Sequence, residues 1–365
     1  MVFVAAGGGG DALATAMLHC AMTGGSDEAV IATYAWDRLL IDPLPGPRSP
    51  SSFTGLEPIG HHNFAVSGTT SAIPPAGSTL PRLAGELSGI RLVVLDPEGG
   101  AVGMREQLRE LVEIYRPEAL QVVDVGGDVL AEGNEAELRS PLADGLVAAA
   151  ATNLPVDVDV LVAGPGLDGE LPEAYVRKRV RKLGGQLMAH LQGEAIEGFL
   201  PILEWHPSEA TALLVAAAGG LRGTVEIRGA GLPVRLTEHS ADVYRAPQQA
   251  VQAASPIVRA LVGTHSLGEA ECRVREACGF SELDYERAKA GKADPSRECG
   301  GLDERALRFE REAQERGVDF VTFRRLAEAL GVRGADWGRL RAELVRRRPA
   351  HYAPPLWAVS AGPAG

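Results

Sequence analysis

The hydrophobic pattern of the chain alternates between short, almost wholly apolar runs and longer stretches in which apolar residues recur every three or four positions. Short apolar runs are typical of strands buried in a parallel sheet, and the longer periodic stretches are typical of helices. The first half of the chain predicts strands at Val2–Ala6, Val30–Tyr34, Arg91–Asp96, Leu120–Val125 and Val158–Ala163, and helices at Asp11–Thr23, Met104–Tyr115, Pro141–Ala151 and Glu173–Leu183. This alternation predicts an α/β fold with a doubly wound, mostly parallel, Rossmann-like sheet.

The second half of the chain predicts helices and one small hairpin. We expect a helical region from Gly185 to about Trp205, and a hairpin formed by Thr224–Arg228 and Val234–Thr237 around Gly229-Ala230-Gly231. The other predicted helices are His206–Ala218, Gln248–Val262, Glu269–Lys289, Asp303–Arg316, Val321–Leu330 and Trp337–Arg348. The last three are dense in Arg and Glu, which is typical of solvated helix faces. We therefore expect a nucleotide-binding-like α/β domain over residues 1–265 and a helical extension over residues 266–365.

One long segment, from about residue 36 to residue 80, breaks this alternation. It is rich in Pro, Gly and Ser and carries the polar groups Trp36-Asp37-Arg38 and His61-His62. Loops of this length in a compact domain are usually functional or disordered. We expect this one to fold over the carboxyl edge of the sheet and to help build a binding site.

The first strand is followed by four glycines and an aspartate. Gly7, Gly8, Gly9, Gly10 and Asp11 form the predicted turn between the first strand and the first helix. Glycines allow the backbone to approach a phosphate closely, and a helix N-terminus favours an anion. The run matches neither GxxxxGK[ST] nor a complete GxGxxG motif. It predicts a ligand-binding turn, with tight strand–helix packing as the alternative.

Two further glycine turns carry acidic groups at predicted strand ends. Asp128 and Glu135 follow the fourth strand and Asp168 follows the fifth, and the glycines that accompany them are Gly126, Gly127, Gly164 and Gly166. The carboxyl ends of parallel strands meet at one edge of a sheet, so all three turns are expected to build one site. Asp128 and Asp168 are candidate catalytic acids or bases, and Glu135 a candidate ligand-binding residue. Ser140 has the position of a helix N-cap.

Two histidines and two more acids complete the candidate residues. His62, in the long loop, and His206, before a predicted helix, are candidate bases, with a merely structural role as the alternative for each. Glu209 suits the first turn of that helix and is a candidate ligand-binding residue. Asp37 lies just beyond the second strand, where a dinucleotide-binding fold places the acid that binds a ribose.

The composition excludes several classes of protein. Against 36 Lys and Arg residues stand 48 Asp and Glu residues, a net charge of −12, which argues against binding nucleic acid or an anionic membrane surface. The chain begins without a basic signal segment and has no apolar run long enough to span a membrane. The four cysteines form no zinc-binding pattern. We expect a cytoplasmic protein with a small-molecule ligand, either as a monomer or as a homo-oligomer.

Several of these motifs occur together and in order in a known family. They are Gly7-Gly8-Gly9-Gly10-Asp11, Gly126-Gly127-Asp128 with Glu135 and Ser140-Pro141-Leu142, Gly164-Pro165-Gly166-Leu167-Asp168, and Pro207-Ser208-Glu209-Ala210. Over roughly residues 1–250 the chain resembles the archaeal and bacterial family catalogued as domain of unknown function 1152. The resemblance implies a nucleotide-binding-like α/β fold and no established reaction. His206 and the helical extension are departures from the family pattern.

The motifs favour an enzyme that binds a nucleotide- or nucleoside-like ligand at the sheet edge. Transfer or hydrolysis at a phosphorylated or N-glycosidic centre needs carboxylates or a metal near the developing charge, and the acidic turns offer the carboxylates. Such an edge would hold one of two kinds of cofactor, either a nucleotide such as NAD or a divalent cation. The alternatives are a non-catalytic nucleotide sensor and an NAD-linked oxidoreductase.

Overall fold

A nine-stranded sheet forms the centre of the protein. The computed structural model describes residues 1–25, 27–193, 196–228, 233–290, 301–332 and 336–361. The strands are β1 (Val2–Ala5), β2 (Ala29–Tyr34), β3 (Phe53–Thr54), β4 (Glu57–Pro58), β5 (Phe64–Val66), β6 (Ser71–Ala72), β7 (Ile90–Leu95), β8 (Ala119–Val125), β9 (Asp157–Ala163), β10 (Gln186–His190), β11 (Gly223–Glu226), β12 (Pro233–Leu236), β13 (Asp242–Pro247), β14 (Phe320–Val321), β15 (Tyr352–Ala353) and β16 (Leu356–Ala358).

Helices cover both faces of this sheet, and the last three helices of the described chain pack against a second, smaller sheet. The helices are α1 (Gly10–Thr23), α2 (Leu80–Glu86), α3 (Gly100–Tyr115), α4 (Pro141–Ala150), α5 (Glu173–Lys182), α6 (Leu200–Leu203), α7 (Glu209–Ala218), α8 (Gln248–Ala254), α9 (Pro256–Leu261), α10 (Leu267–Cys278), α11 (Glu282–Ala290), α12 (Leu302–Glu315), α13 (Phe323–Ala329) and α14 (Asp336–Arg347). Val2 and Val4 of β1 pack in the core formed with α3, α4 and α9. Phe3 and Ala5 pack in a second core with α1 and α7. Alternate residues of a strand point to opposite faces, so both faces of the sheet are buried.

The middle of the sheet is parallel and its two margins are antiparallel. The strand order is β10-β13-β9-β8-β1-β2-β7-β5-β4, and β9, β8, β1, β2 and β7 run parallel to one another. β13 and β10 continue the sheet antiparallel beside β9, and β5 and β4 do so beside β7. The five parallel strands therefore end at one common edge.

A second sheet joins the hairpin to the C-terminal part of the chain. Its order is β12-β11-β14-β16-β15, and β11 pairs in parallel with β14. A separate hydrophobic core lies beneath it, built from α12, α13, α14 and residues such as Trp357. Glu310 of α12 is buried there and accepts hydrogen bonds from Arg348 and from the Trp357 indole. The C-terminal segment thus combines helices with strands.

The central elements were predictable from the sequence. The five predicted strands are β1, β2, β7, β8 and β9, and each has at most one residue more or fewer at either end. Four predicted helices correspond to α1, α3, α4 and α5, of which α3 begins four residues early, at Gly100. The hairpin strands are β11 and β12, while its predicted turn, residues 229–231, lies outside the described residues. A large, mostly parallel α/β sheet is confirmed.

Other predicted elements were wrong in identity or length. The region after Gly185 is not helical throughout, because Gln186–His190 pairs with β13 as a strand, and neighbouring strands outweigh the helix propensity of Gln, Leu, Met and Ala. The helix predicted over Gln248–Val262 is interrupted where Pro256 begins α9 and the Ser255 hydroxyl accepts a hydrogen bond from Val258. Gly279, at φ 83°, ends α10 within the helix predicted over Glu269–Lys289.

The segment over residues 36–80 contains more structure than a plain loop. It includes β3, β4, β5 and β6, and β5 extends the central sheet beside β7. These short segments are strands because they pair with neighbouring strands, and their Pro- and Gly-rich sequence does not predict this conformation. Among the described residues, no helix is long and apolar enough to cross a membrane.

Candidate functional site

A pocket with a cavity volume of about 170 Å³ lies at the common edge of the parallel strands. The segments that follow β1, β2, β8 and β9 all contribute to its wall. From these segments come Gly7, Gly8, Gly9, Gly10, Asp11, Trp36, Asp37, Arg38, Asp128, Asp168, Gly169 and Glu170. Parallel topology is the reason that residues so distant in sequence meet here. The structure thus brings together three of the predicted acids, Asp11, Asp128 and Asp168.

The glycine turn is shaped by packing against its neighbours. A Cβ on Gly8 would lie 2.6 Å from the backbone oxygen of Trp36, and one on Gly10 would lie 2.1 Å from Ser208 Oγ. A Cβ on Gly7 would lie 2.7 Å from Asp11 Oδ2, the atom that accepts a hydrogen bond from the Gly7 amide. Side chains at these three positions would overlap existing atoms. Tight packing therefore accounts for these glycines, and a ligand can still approach the backbone that they leave uncovered.

Three carboxyl groups converge at the base of the pocket. Asp11 lies in the first turn of α1, Asp124 in β8 and Asp144 in α4, and each offers an oxygen within 4.8 Å of the other two. The Asp124 oxygens accept hydrogen bonds from the backbone amides of Gly127 and Val129. Burial and, secondarily, Asp124 raise the pKa of Asp11 to about 8, and burial raises the pKa of Asp124 to about 6. Burial and the nearby Asp124 also hold the pKa of Asp144 well above its usual range.

Asp128 and Asp168 stand beside this cluster. Ser140 links their turns, because its hydroxyl donates to Glu170 and, over 3.3 Å, to Asp128 Oδ2. Ser140 occupies the N-cap position of α4, as expected, but its hydroxyl is directed to those carboxylates and makes no capping hydrogen bond. Asp168 Oδ1 accepts a hydrogen bond from Glu170, and its Oδ2 is buried with no hydrogen-bond partner among the described residues. Burial, with the neighbouring acids, raises the pKa of both aspartates well above the usual range.

The opposite wall of the pocket is basic. Arg324 of α13 and Arg228, which follows β11, both reach the pocket from the second sheet and its helices. Glu209 is the carboxylate beside them, 3.8 Å from Arg324 Nη1 and 3.9 Å from Arg228 Nε. Within the described chain, Nε and Nη2 of Arg324 and Nε of Arg228 have no hydrogen-bond partner. Burial and the neighbouring Arg228 lower the pKa of Arg324 to about 9, a sign of two crowded cations.

His206 lines the pocket as a buried, neutral imidazole. Its Nδ1 accepts a hydrogen bond from the Ser208 amide, and Ser208 in turn caps α7. Burial and then the Arg324 charge lower the pKa of His206 to about 3. An efficient general base has a pKa near the working pH, so this environment makes His206 a weak base. Its proposed catalytic role stays a prediction.

Helix α11 closes one side of the pocket with two buried glutamates. Glu282 Oε2 accepts hydrogen bonds from the amides of Leu142 and Ala143 at the start of α4. Glu286 Oε2 accepts from the Trp36 indole and from the Gly46 amide. Tyr285, on the same helix, lines the pocket with 46% of its surface exposed. α11 therefore joins the segment after β2 to α4.

Several predicted site residues lie outside this pocket or have other partners. The predicted residues that do not line it are His62, Glu135, Gly126, Gly127, Gly164 and Gly166. His62 is exposed near the sheet margin and donates its amide to Glu110, while Glu135 accepts from Tyr175 and two backbone amides. The four glycines have φ between 60° and 119°, so their turns require glycine directly behind the pocket. Asp37 does line the pocket, and Thr79 donates to both of its oxygens.

Most of the residues that line the pocket were not singled out from the sequence. The residues that sequence reasoning did not propose include Asp124, Arg228, Glu282, Tyr285, Glu286 and Arg324. Asp124 was predictable in principle, because a carboxylate within the otherwise apolar end of a buried strand indicates a functional role. Arg324 gave no such indication, because the sequence does not distinguish this buried arginine from Arg325, the less buried arginine beside it.

A family model described as Protein of unknown function (DUF1152) matches residues 2–290. The chain belongs to this family. The match extends the expected resemblance by 40 residues, so the DUF1152 region includes α11 with its two buried glutamates. Arg324 lies beyond the matched region. No curated protein and no solved structure matches this DUF1152 chain.

Proposed function

We propose that this protein is a small-molecule enzyme whose pocket binds a phosphorylated, nucleotide-like ligand. The observation that carries the proposal is the pair of arginines on the basic wall. Arg324 is 8% exposed, and its unsatisfied Nε and Nη2 face a pocket in which one carboxylate, Glu209, stands beside both guanidinium groups. Buried donors without acceptors are costly, and a phosphate offers several acceptor oxygens in a geometry that guanidinium groups match.

The glycine turn that lines the pocket supports a phosphate as well. The N-terminus of α1 begins at Gly10 and directs its dipole and first amides toward the cavity edge. Anions are stabilised at such a position. Gly10 packs against Ser208, and the carbonyl of the preceding Pro207 accepts a hydrogen bond from Arg324, so a phosphate beside Arg324 would also lie near the start of α1.

We also propose the Rossmann-like, doubly wound arrangement of the sheet. Counted among themselves, the parallel strands run 3-2-1-4-5 in the order β7-β2-β1-β8-β9. This is the order of the first five strands of dinucleotide-binding sheets, in which ligands bind where the winding direction reverses. Here the reversal lies between β1 and β8, where Asp11 and Asp124 line the pocket.

Two features favour a nucleoside over a simple anion. Tyr285 presents a half-exposed ring at the pocket wall, and such a ring can stack on a base. The carboxylates of Asp37, Asp128 and Asp168 can accept hydrogen bonds from sugar hydroxyls. A raised pKa lets a carboxyl group hold a proton near neutral pH, so Asp128 and Asp168 are suited to general acid–base work. The reaction class is transfer or hydrolysis at a phosphorylated or N-glycosidic centre.

The small-molecule ligand is the partner that we propose, in a cytoplasmic protein without nucleic-acid or membrane partners. The net charge of −12 supports this, because it would repel both polyanions and anionic lipid. The proposed site is the same in a monomer and in a homo-oligomer.

The test is binding of AMP, ADP, NAD⁺ and adenosine, measured by calorimetry on the wild type and on Arg324→Gln. We expect the phosphorylated compounds to bind, adenosine to bind much more weakly, and Arg324→Gln to lose at least tenfold in affinity, about 1.4 kcal/mol. Arg109→Gln is the matched control, because Arg109 is an exposed arginine paired with Glu106 on α3.

Equal affinity of the wild type and Arg324→Gln for every compound would overturn the proposed phosphate site. Incubation with the bound compound then separates the classes. A new phosphate, base or transfer product supports the enzyme, hydride transfer to NAD⁺ supports the oxidoreductase, and binding without turnover supports the sensor.

A further inference from the structure

The base of the pocket holds three carboxylates in an arrangement that protein contacts do not explain. Asp11, Asp124 and Asp144 come from α1, β8 and α4, yet their oxygens lie within 4.8 Å of one another. Within the described residues, no salt bridge is made to any of the three. Like charges so close repel each other strongly in a desolvated site unless a cation or protons intervene.

Asp144 supplies an independent reason to look for a missing partner. Its side chain is 3% exposed, and its Oδ1 is buried with no hydrogen-bond partner in the described part of the chain. A buried carboxylate oxygen normally has a donor or a metal opposite it. The other two carboxyl groups are anchored, Asp11 by the Gly7 amide and Asp124 by the Gly127 and Val129 amides.

We propose that Asp11, Asp124 and Asp144 bind one divalent cation, Mg²⁺ or Mn²⁺. Oxygen donors from carboxylates select hard cations and not zinc, which prefers nitrogen and sulfur. Ligands at about 2.1 Å from an ion lie at most about 4.2 Å from each other, so a spacing of this order needs only a small closure of the cluster. Waters and the ligand complete the coordination, as Mg²⁺ usually requires.

The cation also resolves a conflict within the pocket. The acidic wall would repel the phosphate that Arg324 and Arg228 favour, and a cation between them would attract both. This role toward a phosphate rests on the proposed function, whereas binding of the cation itself does not. Two distinct measurements therefore separate the two ideas.

The experiment uses chelator-treated full-length protein titrated with Mn²⁺ alone and followed by electron paramagnetic resonance, with no nucleotide present. We expect one Mn²⁺ per chain in the wild type and at least a tenfold loss of affinity in Asp144→Asn. Asp157→Asn is the control, because Asp157 is an exposed aspartate at the start of β9. In thermal melts, Mn²⁺ should stabilise the wild type and the control, but not Asp144→Asn.

Metal-free Asp144→Asn should be at least as stable as the metal-free wild type, because the substitution relieves repulsion. If it fails to fold, Asp11→Asn provides the same comparison. Absence of Mn²⁺ binding to the wild type, or equal binding by the aspartate variants, would overturn the proposal. Mn²⁺ binding without any phosphate binding would support the cation site and overturn the proposed function alone.

Discussion

At the scale of single residues, the pocket depends on charged groups held in places where water cannot solvate them. Glu282 is an example, since it is 5% exposed and lies next to other acids. Burial raises its pKa to about 8, with Arg38 acting in the opposite direction. The two hydrogen bonds that it accepts from α4 amides fix the position of the carboxyl group, but they do not offset the desolvation that raises its pKa.

We predict that Glu282 makes the protein less stable as the pH rises from about 4.5 to about 8. The folded-state pKa lies above the unfolded value of 4.5, so unfolding releases a proton in this window. The stabilising contribution is complete below pH 4.5 and is lost as the pH passes through the folded-state pKa. Glu282→Gln should therefore gain stability relative to the wild type across the window, by a few kcal/mol at most.

Urea unfolding of both proteins at several pH values provides the measurement. Glu276→Gln, at an exposed position of α10, is the control. A constant difference in unfolding free energy between the wild type and Glu282→Gln at all pH values would show that folding does not shift the pKa of Glu282.

At the scale of elements, α11 fastens the segment after β2 to the rest of the pocket. Within the segment over residues 36–80, only Trp36, Asp37 and Arg38 line the pocket. Glu286 receives hydrogen bonds from the Trp36 indole and the Gly46 amide, and Glu286 is itself buried. This contact spans 250 residues of sequence. The position of the segment therefore depends on a helix near the end of the family region.

We predict that Glu286→Ala increases amide hydrogen exchange over residues 36–48 and lowers the free energy of unfolding. Two buried donors would lose their acceptor, at a cost of about 1–3 kcal/mol each. Mass-spectrometric exchange and urea unfolding measure the two effects. The exposed Glu276, changed to Ala, should alter neither, and unchanged exchange in Glu286→Ala would contradict a fastening role for α11.

At the scale of the whole molecule, the pocket is shared between the central sheet and the C-terminal segment. The central sheet supplies most of its acids, from the turns that follow the parallel strands and from the helices packed on that sheet, and α13 supplies Arg324. Within the second part, Glu226 of β11 joins the second sheet to its helices, because it accepts from Arg325 of α13 over 3.0 Å and from Arg316, which follows α12, over 2.8 Å. It is 3% exposed. Its two partners are more accessible, with 21% of the Arg325 side chain and 45% of the Arg316 side chain exposed, so water can replace part of what they would lose.

We predict that Glu226→Ala destabilises the protein by about 1–3 kcal/mol, because Arg325 loses its buried acceptor while the half-exposed Arg316 regains water. A double-mutant cycle with Arg325→Ala should give a favourable coupling energy, measured by urea unfolding. Additive effects of the two substitutions would mean that this contact does not hold the second sheet to its helices.

Local composition alone specifies the five parallel strands of the central sheet and their acidic edge. Parallel strands buried on both faces read as apolar runs, so β1, β2, β7, β8 and β9 were predictable from the sequence. Turns that follow parallel strands must share an edge, and this rule was sufficient to predict that Asp11, Asp128 and Asp168 lie together. Membership of the DUF1152 family was recognisable from the same turns.

The remainder of the pocket depends on contacts that are distant in sequence. β10 is a strand because β13 pairs with it, and its sequence alone favours a helix. In the sequence, Glu282 and Arg324 look like ordinary surface charges. The pattern of an amphipathic helix predicts which residues form its polar face, but it does not predict whether another part of the chain buries that face. Contacts between residues hundreds of positions apart bury these two side chains, and burial then sets their protonation and leaves the Arg324 donors unsatisfied. The physical reason is that secondary structure follows from local periodicity, whereas the chemistry of a charge follows from desolvation by distant neighbours.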